Sequence, residues 1–229
     1  MMAGTQDQLS RTRVSFREVK EESYRALRSA GYSWGQAQAM GRIAGAMQVL
    51  WGTGISAVTQ DARRWVAASR IPRVRAGKTG QTVSSRGLSI VGLSLTLATR
   101  AVARPDDALW VRSAKPSREF AVALWDLDLR SGPTIFWGSH SQQSTSGYSL
   151  DAAGNLQEHL VLDGDSLGLG PPRTGMWVRG GSATGGNVVL AADERRVRMA
   201  EALVSGVSID SSEWAVLSRL SRKFLVSGA

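Results

Sequence analysis

The sequence predicts an α+β protein, with helices at both ends of the chain and a mainly antiparallel sheet between them. Three observations carry this. Residues 15–52 hold two apolar periods of helical spacing, each opened by a capping-box pattern. Residues 108–162 break into short β-branched or aromatic runs set apart by turn residues, and helical spacing returns from residue 193.

In chain order, residues 1–13 are polar and read as a flexible leader. Ser15 and Glu18 form a capping box, and Phe16, Val19, Ser23, Ala26, Leu27 and Ala30 make a narrow apolar face that ends at Gly31. Ser33 and Gln36 form a second box. Behind it Ala37, Met40, Ile43, Ala44, Met47, Leu50 and Trp51 recur at helical spacing up to Gly52. Gly41 and Gly45, one turn apart, strip bulk from one face and admit another backbone, at about 1 kcal/mol each in helix propensity. The two helices form an αα-hairpin, and a third is predicted over residues 55–68, stopping before Pro72. Residues 14–69 are thus a helical subdomain, 70–87 a basic connector with Pro72, Gly77 and Gly80, and 88–229 a sheet-rich domain with C-terminal helices.

Within the last of these, Leu93, Leu95 and Leu97 alternate with small polar residues, which favours a strand over 88–96, although the longer apolar run also permits a helix. Further strands are predicted over 108–112, 118–127, 133–138, 147–150 and 156–162, with a hairpin turn at Asp151–Gly154. Gly164 to Gly186 reads as a surface loop around one strand at 176–179, with another strand at 188–191. Helices over 193–204 and 211–226 close the chain, the latter starting at an acidic cap.

A chain of 229 residues, 42% of them hydrophobic, can bury a substantial core. The longest apolar run, Gly87 to Ala103, is broken by Ser89, Ser94, Thr96, Thr99 and Arg100 and does not read as a membrane span; with no h-region in the leader, the expected location is the cytoplasm. There is no cysteine, so disulfides, thiolate metal sites and thiol nucleophiles are excluded. Two histidines, His140 and His159, leave too few nitrogen ligands to predict a metal site. The net charge of +9 is localised: between Asp61 and Asp106 there is no acid but nine Lys and Arg residues. Such a block suits a small anionic metabolite or is a solvated face; nucleic acid is the less favoured partner.

Most motif matches fail on context. Gly164-Asp165-Ser166-Leu167-Gly168 fits G-x-S-x-G, but Gly170-Pro171-Pro172 cannot supply the helix that a nucleophile elbow needs. Gly77-Lys78-Thr79 lacks the leading glycine of a P-loop, since Pro72 stands there. Asp126 and Asp128 fall on one face of a predicted strand, which suits a solvated face. The remaining candidate is the polar loop after Trp137, where His140 is the candidate acid/base residue. Ser139, Gln142, Ser166, Arg73, Arg75 and Lys78 are the candidate ligand contacts.

The run Val14-Ser15-Phe16-x-x-Val19 followed by Ala26-Leu27-Arg28-x-Ala30-Gly31-Tyr32-x-Trp34-Gly35-x-Ala37 resembles the opening of an uncharacterised bacterial family, domain of unknown function three-seven-two-six. Ile209-Asp210-x-x-x-Trp214-x-x-Leu217 resembles its closing helix. No activity comes with that resemblance. The hairpin is also similar, more distantly, to the start of type 2 malate and lactate dehydrogenases, which implies nicotinamide chemistry without a Rossmann domain. That family places a serine-histidine-glycine motif after its second helix; here the stretch reads Leu50-Trp51-Gly52-Thr53-Gly54, and no histidine precedes His140.

The expected function is binding of a small anionic metabolite, with turnover open and the cofactor unassigned. The alternatives are a non-catalytic partner subunit or homo-oligomer docking through the N-terminal helices, and a nicotinamide-dependent 2-hydroxy-acid oxidoreductase relative without the usual catalytic histidine.

Overall fold

The computed structural model describes residues 11–63, 72–77, 80–84, 87–112, 114–127, 133–171, 173–182 and 185–226. The elements begin with β1 (Arg11–Val14), α1 (Phe16–Ser29), α2 (Trp34–Trp51), α3 (Gly54–Arg63), β2 (Arg73–Gly77) and β3 (Gly80–Ser84). Next come α4 (Ile90–Ala103), β4 (Leu109–Arg112), α5 (Phe120–Asp126), β5 (Thr134–His140), β6 (Thr145–Leu150) and β7 (Leu156–His159). Last are β8 (Arg173–Gly181), β9 (Asn187–Leu190), α6 (Ala192–Ser205), β10 (Val207–Asp210) and α7 (Ser211–Val226). The fold is α+β. Two compact units divide it, one of residues 1–70 and 196–229 and the other of residues 71–195.

In the helical unit both capping boxes form. Ser15 Oγ accepts from the Glu18 N–H at 3.1 Å while the Glu18 carboxylate accepts from the Ser15 N–H at 2.7 Å. Ser33 and Gln36 repeat the pattern, and α2 ends on Gly52 in the left-handed region, φ +71°. The glycine face is a contact surface between α1 and α2. A Cβ on Gly41 would lie 3.0 Å from the Lys20 carbonyl oxygen, and one on Gly45 would lie 3.0 Å from the Phe16 ring. The turn into α3 is tighter still: a Cβ on Gly54 would stand 1.8 Å from the Ala44 carbonyl oxygen. Beside it the buried Gln48 side chain accepts from the Ile55 N–H at 3.1 Å, satisfying a donor at the start of α3.

Two sequence expectations are corrected here. The leader does not run to residue 13, because Arg11–Val14 pairs antiparallel with Val207–Asp210. The last helix does not join the sheet: α7 packs along α1 and α3, with Leu217 fully buried and Ser29 Oγ donating to the Leu220 carbonyl at 3.1 Å. The acidic cap of α7 is Asp210, whose carboxylate accepts from the Ser212 and Glu213 N–H groups.

The second unit is an eight-stranded sheet of order β2-β3-β4-β8-β5-β6-β7-β9, antiparallel throughout except for the parallel pair β3–β4. The basic connector is part of it, since β2 and β3 form a hairpin there. Two predicted strands are helices. Over 88–96 the period of two at Leu93, Leu95 and Leu97 competes with a period of about four at Leu93, Leu97 and Ala101, and the Ser89 hydroxyl decides it by capping Val91 and Gly92. α5 buries Phe120 to Leu124 without a break, so its sequence carries no period at all. On one sheet face, Trp137 of β5 meets the Phe120 ring at 5.2 Å and donates from Nε1 to the Ser117 carbonyl at 2.8 Å. On the other face Ala108, Trp110, Phe136 and Trp177 are capped by Leu162, Leu167 and Leu169. No helix among the described residues is long and apolar enough to cross a membrane.

Candidate functional site

Strand register brings the site together. Thr82 of β3 pairs with Trp110 of β4, which pairs with Trp177 of β8, so the three share one sheet face. Two residues further along β4, Arg112 projects on that face, and the start of β8 adds Arg173 and Thr174. Among the described residues, Thr82, Trp110, Arg112, Arg173 and Thr174 line a hollow of about 560 Å3, and none of them is acidic. The Arg173 guanidinium carbon lies 5.3 Å from the centroid of the Trp110 ring, a cation–π distance. Arg112 is exposed. Two guanidinium groups and two hydroxyls over an aromatic floor offer only hydrogen-bond donors of positive or neutral charge to an oxyanion.

His140 stands at the edge of this group. It is the register partner of Arg173, and its ring centroid is 6.3 Å from that of Trp110. Its Nε2 lies 3.0 Å from the Gly170 carbonyl oxygen and its Nδ1 2.5 Å from Thr145 Oγ1. A carbonyl only accepts, so Nε2 carries the hydrogen. In the neutral ring Nδ1 then accepts from the Thr145 hydroxyl. Both ring nitrogens are engaged inside the protein, and the histidine ties β5 and β6 to the segment that covers the tryptophans.

That segment contains the G-x-S-x-G match. Its backbone closes on itself through Leu167 N–H to Asp163 O at 3.1 Å and Leu169 N–H to Gly164 O at 3.0 Å. Ser166 donates to the Asp163 carboxylate, and this hydroxyl, followed by the Ser166 and Asp165 N–H groups, holds the Asp163 carboxyl below its ordinary range. Arg179 donates to the Leu167 carbonyl. Gly164 is bare for a reason: a Cβ there would lie 2.8 Å from His140 Cε1. Ser166 thus belongs to a turn.

The other sequence candidates are dispersed. Arg73 and Arg75 lie on β2, and Arg75 is exposed and pairs with Thr82, which sets it in the same row as Trp110. Lys78 lies outside the described residues. Ser139 Oγ is 3.4 Å from Ser146 Oγ, and Gln142 is exposed in the turn after β5. Asp126 ends α5 instead of lying on a strand, and Asp128 is outside the described residues. Part of the basic block is committed within the unit: Arg100 donates to Gln81 at 2.9 Å and Arg104 pairs with Asp107 at 3.7 Å. No group of three metal-ligating side chains occurs among the described residues. His159 is buried, 2.8 Å from Ser149 Oγ, and burial lowers its pKa.

Sequence reading missed Thr82, Trp110, Arg112, Arg173 and Thr174. They come from three strands far apart in the chain, and only the β3–β4–β8 register shows that they meet.

In fold, the chain is similar to dehydrogenases. A dehydrogenase from Sinorhizobium meliloti matches with TM-score 0.59 at 10% identity, over 93% of this chain and 100% of that one. Malate dehydrogenase from Pyrococcus horikoshii OT3 matches with TM-score 0.58 at 9% identity, over 94% and 96%. Sulfolactate dehydrogenase from Methanocaldococcus jannaschii matches with TM-score 0.54 at 8% identity, over 93% and 97%. No family model matches the chain, and no curated protein does. At these identities the likeness is one of fold. The stretch Leu50–Gly54, where the type 2 dehydrogenase resemblance implies a histidine, serves here as the junction that packs α3 on α2 through Gly54 and Gln48.

Proposed function

We propose that this chain binds a small anionic metabolite, a carboxylate or a phosphate, in the hollow over Trp110. The observation that carries the reading is the convergence of Arg112 and Arg173 on a threonine-lined hollow with no acid among the described residues that line it. Arg112 and Arg173 hold the anion, Thr82 and Thr174 donate to it, and His140 is a positioning residue that fixes the covering segment. The fold likeness supports the same chemistry, since the names malate and sulfolactate dehydrogenase both specify small organic acids. A nicotinamide-dependent oxidoreductase is the catalytic form of this reading, with a different proton-transfer group from the histidine that the resemblance implies.

Titration calorimetry against a panel of organic acids and phosphates, malate and sulfolactate included, tests the proposal. A charge-assisted hydrogen bond contributes about 1.5–3 kcal/mol, so Arg112→Ala and Arg173→Ala should each weaken binding by roughly 10- to 150-fold. Binding that is unchanged in both variants, or absent for every acid, overturns it. Quenching of protein fluorescence by NADH, with oxidation of the cofactor in the presence of a 2-oxo acid, separates turnover from binding.

A specific observation favours one further reading. Trp34 is 62% exposed beside a hollow of about 250 Å3 lined by Lys20, Glu21, Tyr24, Gln38 and Arg42, which suits docking of a protein partner on the helical hairpin. Trp34→Ala should then abolish co-purification of that partner and leave acid binding intact.

A further inference from the structure

Two buried donors in the sheet unit lack an acceptor. Four tryptophans lie within residues 71–195, at positions 110, 125, 137 and 177. Trp125 and Trp137 each donate from Nε1 to a carbonyl, that of Gly154 at 3.1 Å and that of Ser117 at 2.8 Å. Trp110 and Trp177 are more deeply buried, yet neither Nε1 has a hydrogen-bond partner among the described residues. A buried indole N–H is ordinarily bonded, because an unmet one gives up its hydration for nothing. These two are not scattered exceptions. They are register partners on neighbouring strands, and they lie under the same apolar cap of Leu162, Leu167 and Leu169, whose side chains carry no acceptor. Trp110 also lines the hollow beside Arg112 and Arg173.

The cap is built to move as one piece. Residues 163–169 close on themselves through backbone bonds from Leu167 to Asp163, Gly168 to Asp165 and Leu169 to Gly164. Gly168 and Gly170 hold left-handed backbone, at φ +55° and +68°. His140 ties the piece to the sheet through the Gly170 carbonyl and Arg179 through the Leu167 carbonyl. Burial of Leu167 and Leu169 holds it down, the two stranded donors oppose this, and the effects are of the same order. We propose that the indole N–H groups of Trp110 and Trp177 are donors to the bound anion, reached when residues 163–170 lift off the sheet. The proposal rests on reading the hollow as an anion site and adds the kind of atom that the ligand presents beneath the cap. An indole nitrogen only donates, so that atom is an ionised carboxylate or phosphate oxygen, which only accepts.

Heteronuclear NMR of the isotopically labelled full chain gives one indole signal per tryptophan, assigned in the wild-type protein through indole-to-backbone correlations. Titration with malate, sulfolactate and inorganic phosphate, run in parallel with calorimetry, should move the Trp110 and Trp177 indole protons downfield and leave those of Trp125 and Trp137 in place. Trp110→Phe keeps a ring under Arg173 and removes the donor, so binding should weaken roughly 10- to 150-fold. Leu169→Ala should tighten binding severalfold, because it favours the lifted form that admits the ligand. A leucine that only shaped the site would have the opposite effect. If Trp110→Phe does not fold, the wild-type indole signals still decide. Calorimetric binding with both indole signals unmoved, or undiminished binding in Trp110→Phe, overturns the proposal and leaves the anion site standing. Absence of binding for every acid overturns both.

Discussion

Replacing Gly54 by alanine should cost the helical unit more than replacing Gly52, two residues earlier in the same turn. At Gly54 the added methyl group would sit 1.8 Å from the Ala44 carbonyl oxygen and 2.8 Å from the Gln48 nitrogen. Both obstacles are α2 backbone, so no rotamer change relieves them. α3 has to withdraw by about 1.5 Å to restore van der Waals distance. Overpacking of this kind costs about 1–3 kcal/mol. Withdrawal also breaks the buried bond from the Ile55 N–H to Gln48, and a stranded buried donor costs about 1–3 kcal/mol. Alanine returns about 1 kcal/mol in helix propensity, which leaves a net loss of about 1–5 kcal/mol, centred on about 3. At Gly52 nothing lies within 4 Å of the added carbon, and only the left-handed backbone is penalised, at about 1–2 kcal/mol. Urea unfolding of the full chain, followed by far-UV circular dichroism, measures the two variants side by side. A Gly54→Ala protein as stable as Gly52→Ala would refute the close α2–α3 approach.

Burial lowers the pKa of His159 below its ordinary value of 6.5, so the unfolded chain takes up this proton before the folded one does. Stability should therefore fall as the pH drops below about 6.5 and level off once the lower, folded pKa is passed; His159→Gln should flatten that part of the profile in pH-dependent melting. Leu167→Ala removes a buried side chain from over Trp110 and Trp177 and should cost about 2–5 kcal/mol, read from urea unfolding followed by tryptophan fluorescence. An unchanged midpoint would mean that the covering segment does not seal that face.

The helical unit was legible because its signals are local. Ser15 with Glu18, Ser33 with Gln36 and Gly52 each state a helix end within a few residues, and the Gly41–Gly45 face states a contact. The sheet unit was legible where hairpins join adjacent strands, as from β5 through β7. It was not legible at α4 and α5, where an apolar run buried nearly all round fits either period. The same limit hid the hollow. His140 could be singled out as a polar residue after a strand, but its meeting with Trp110 and Arg173 depends on which strands neighbour one another, and β4 lies between β3 and β8 only through a connection longer than any hairpin.

That connection has a directional consequence. Because β3 and β4 run parallel, their carboxyl ends, at Ser84 and Arg112, finish on the same border of the sheet, as in open α/β sheets where ligands settle beyond strand ends. Parallel neighbours require a crossover of a dozen residues or more, and α4 is that crossover. A strand over residues 88–96 would instead be inserted between β3 and β4 by two hairpins, leaving Arg112 on the same border but a strand further from Thr82. The helix that the leucine alternation concealed is thus what lets β4 pair directly with β3 and brings Arg112 into the row beside Ser84, two residues from Thr82.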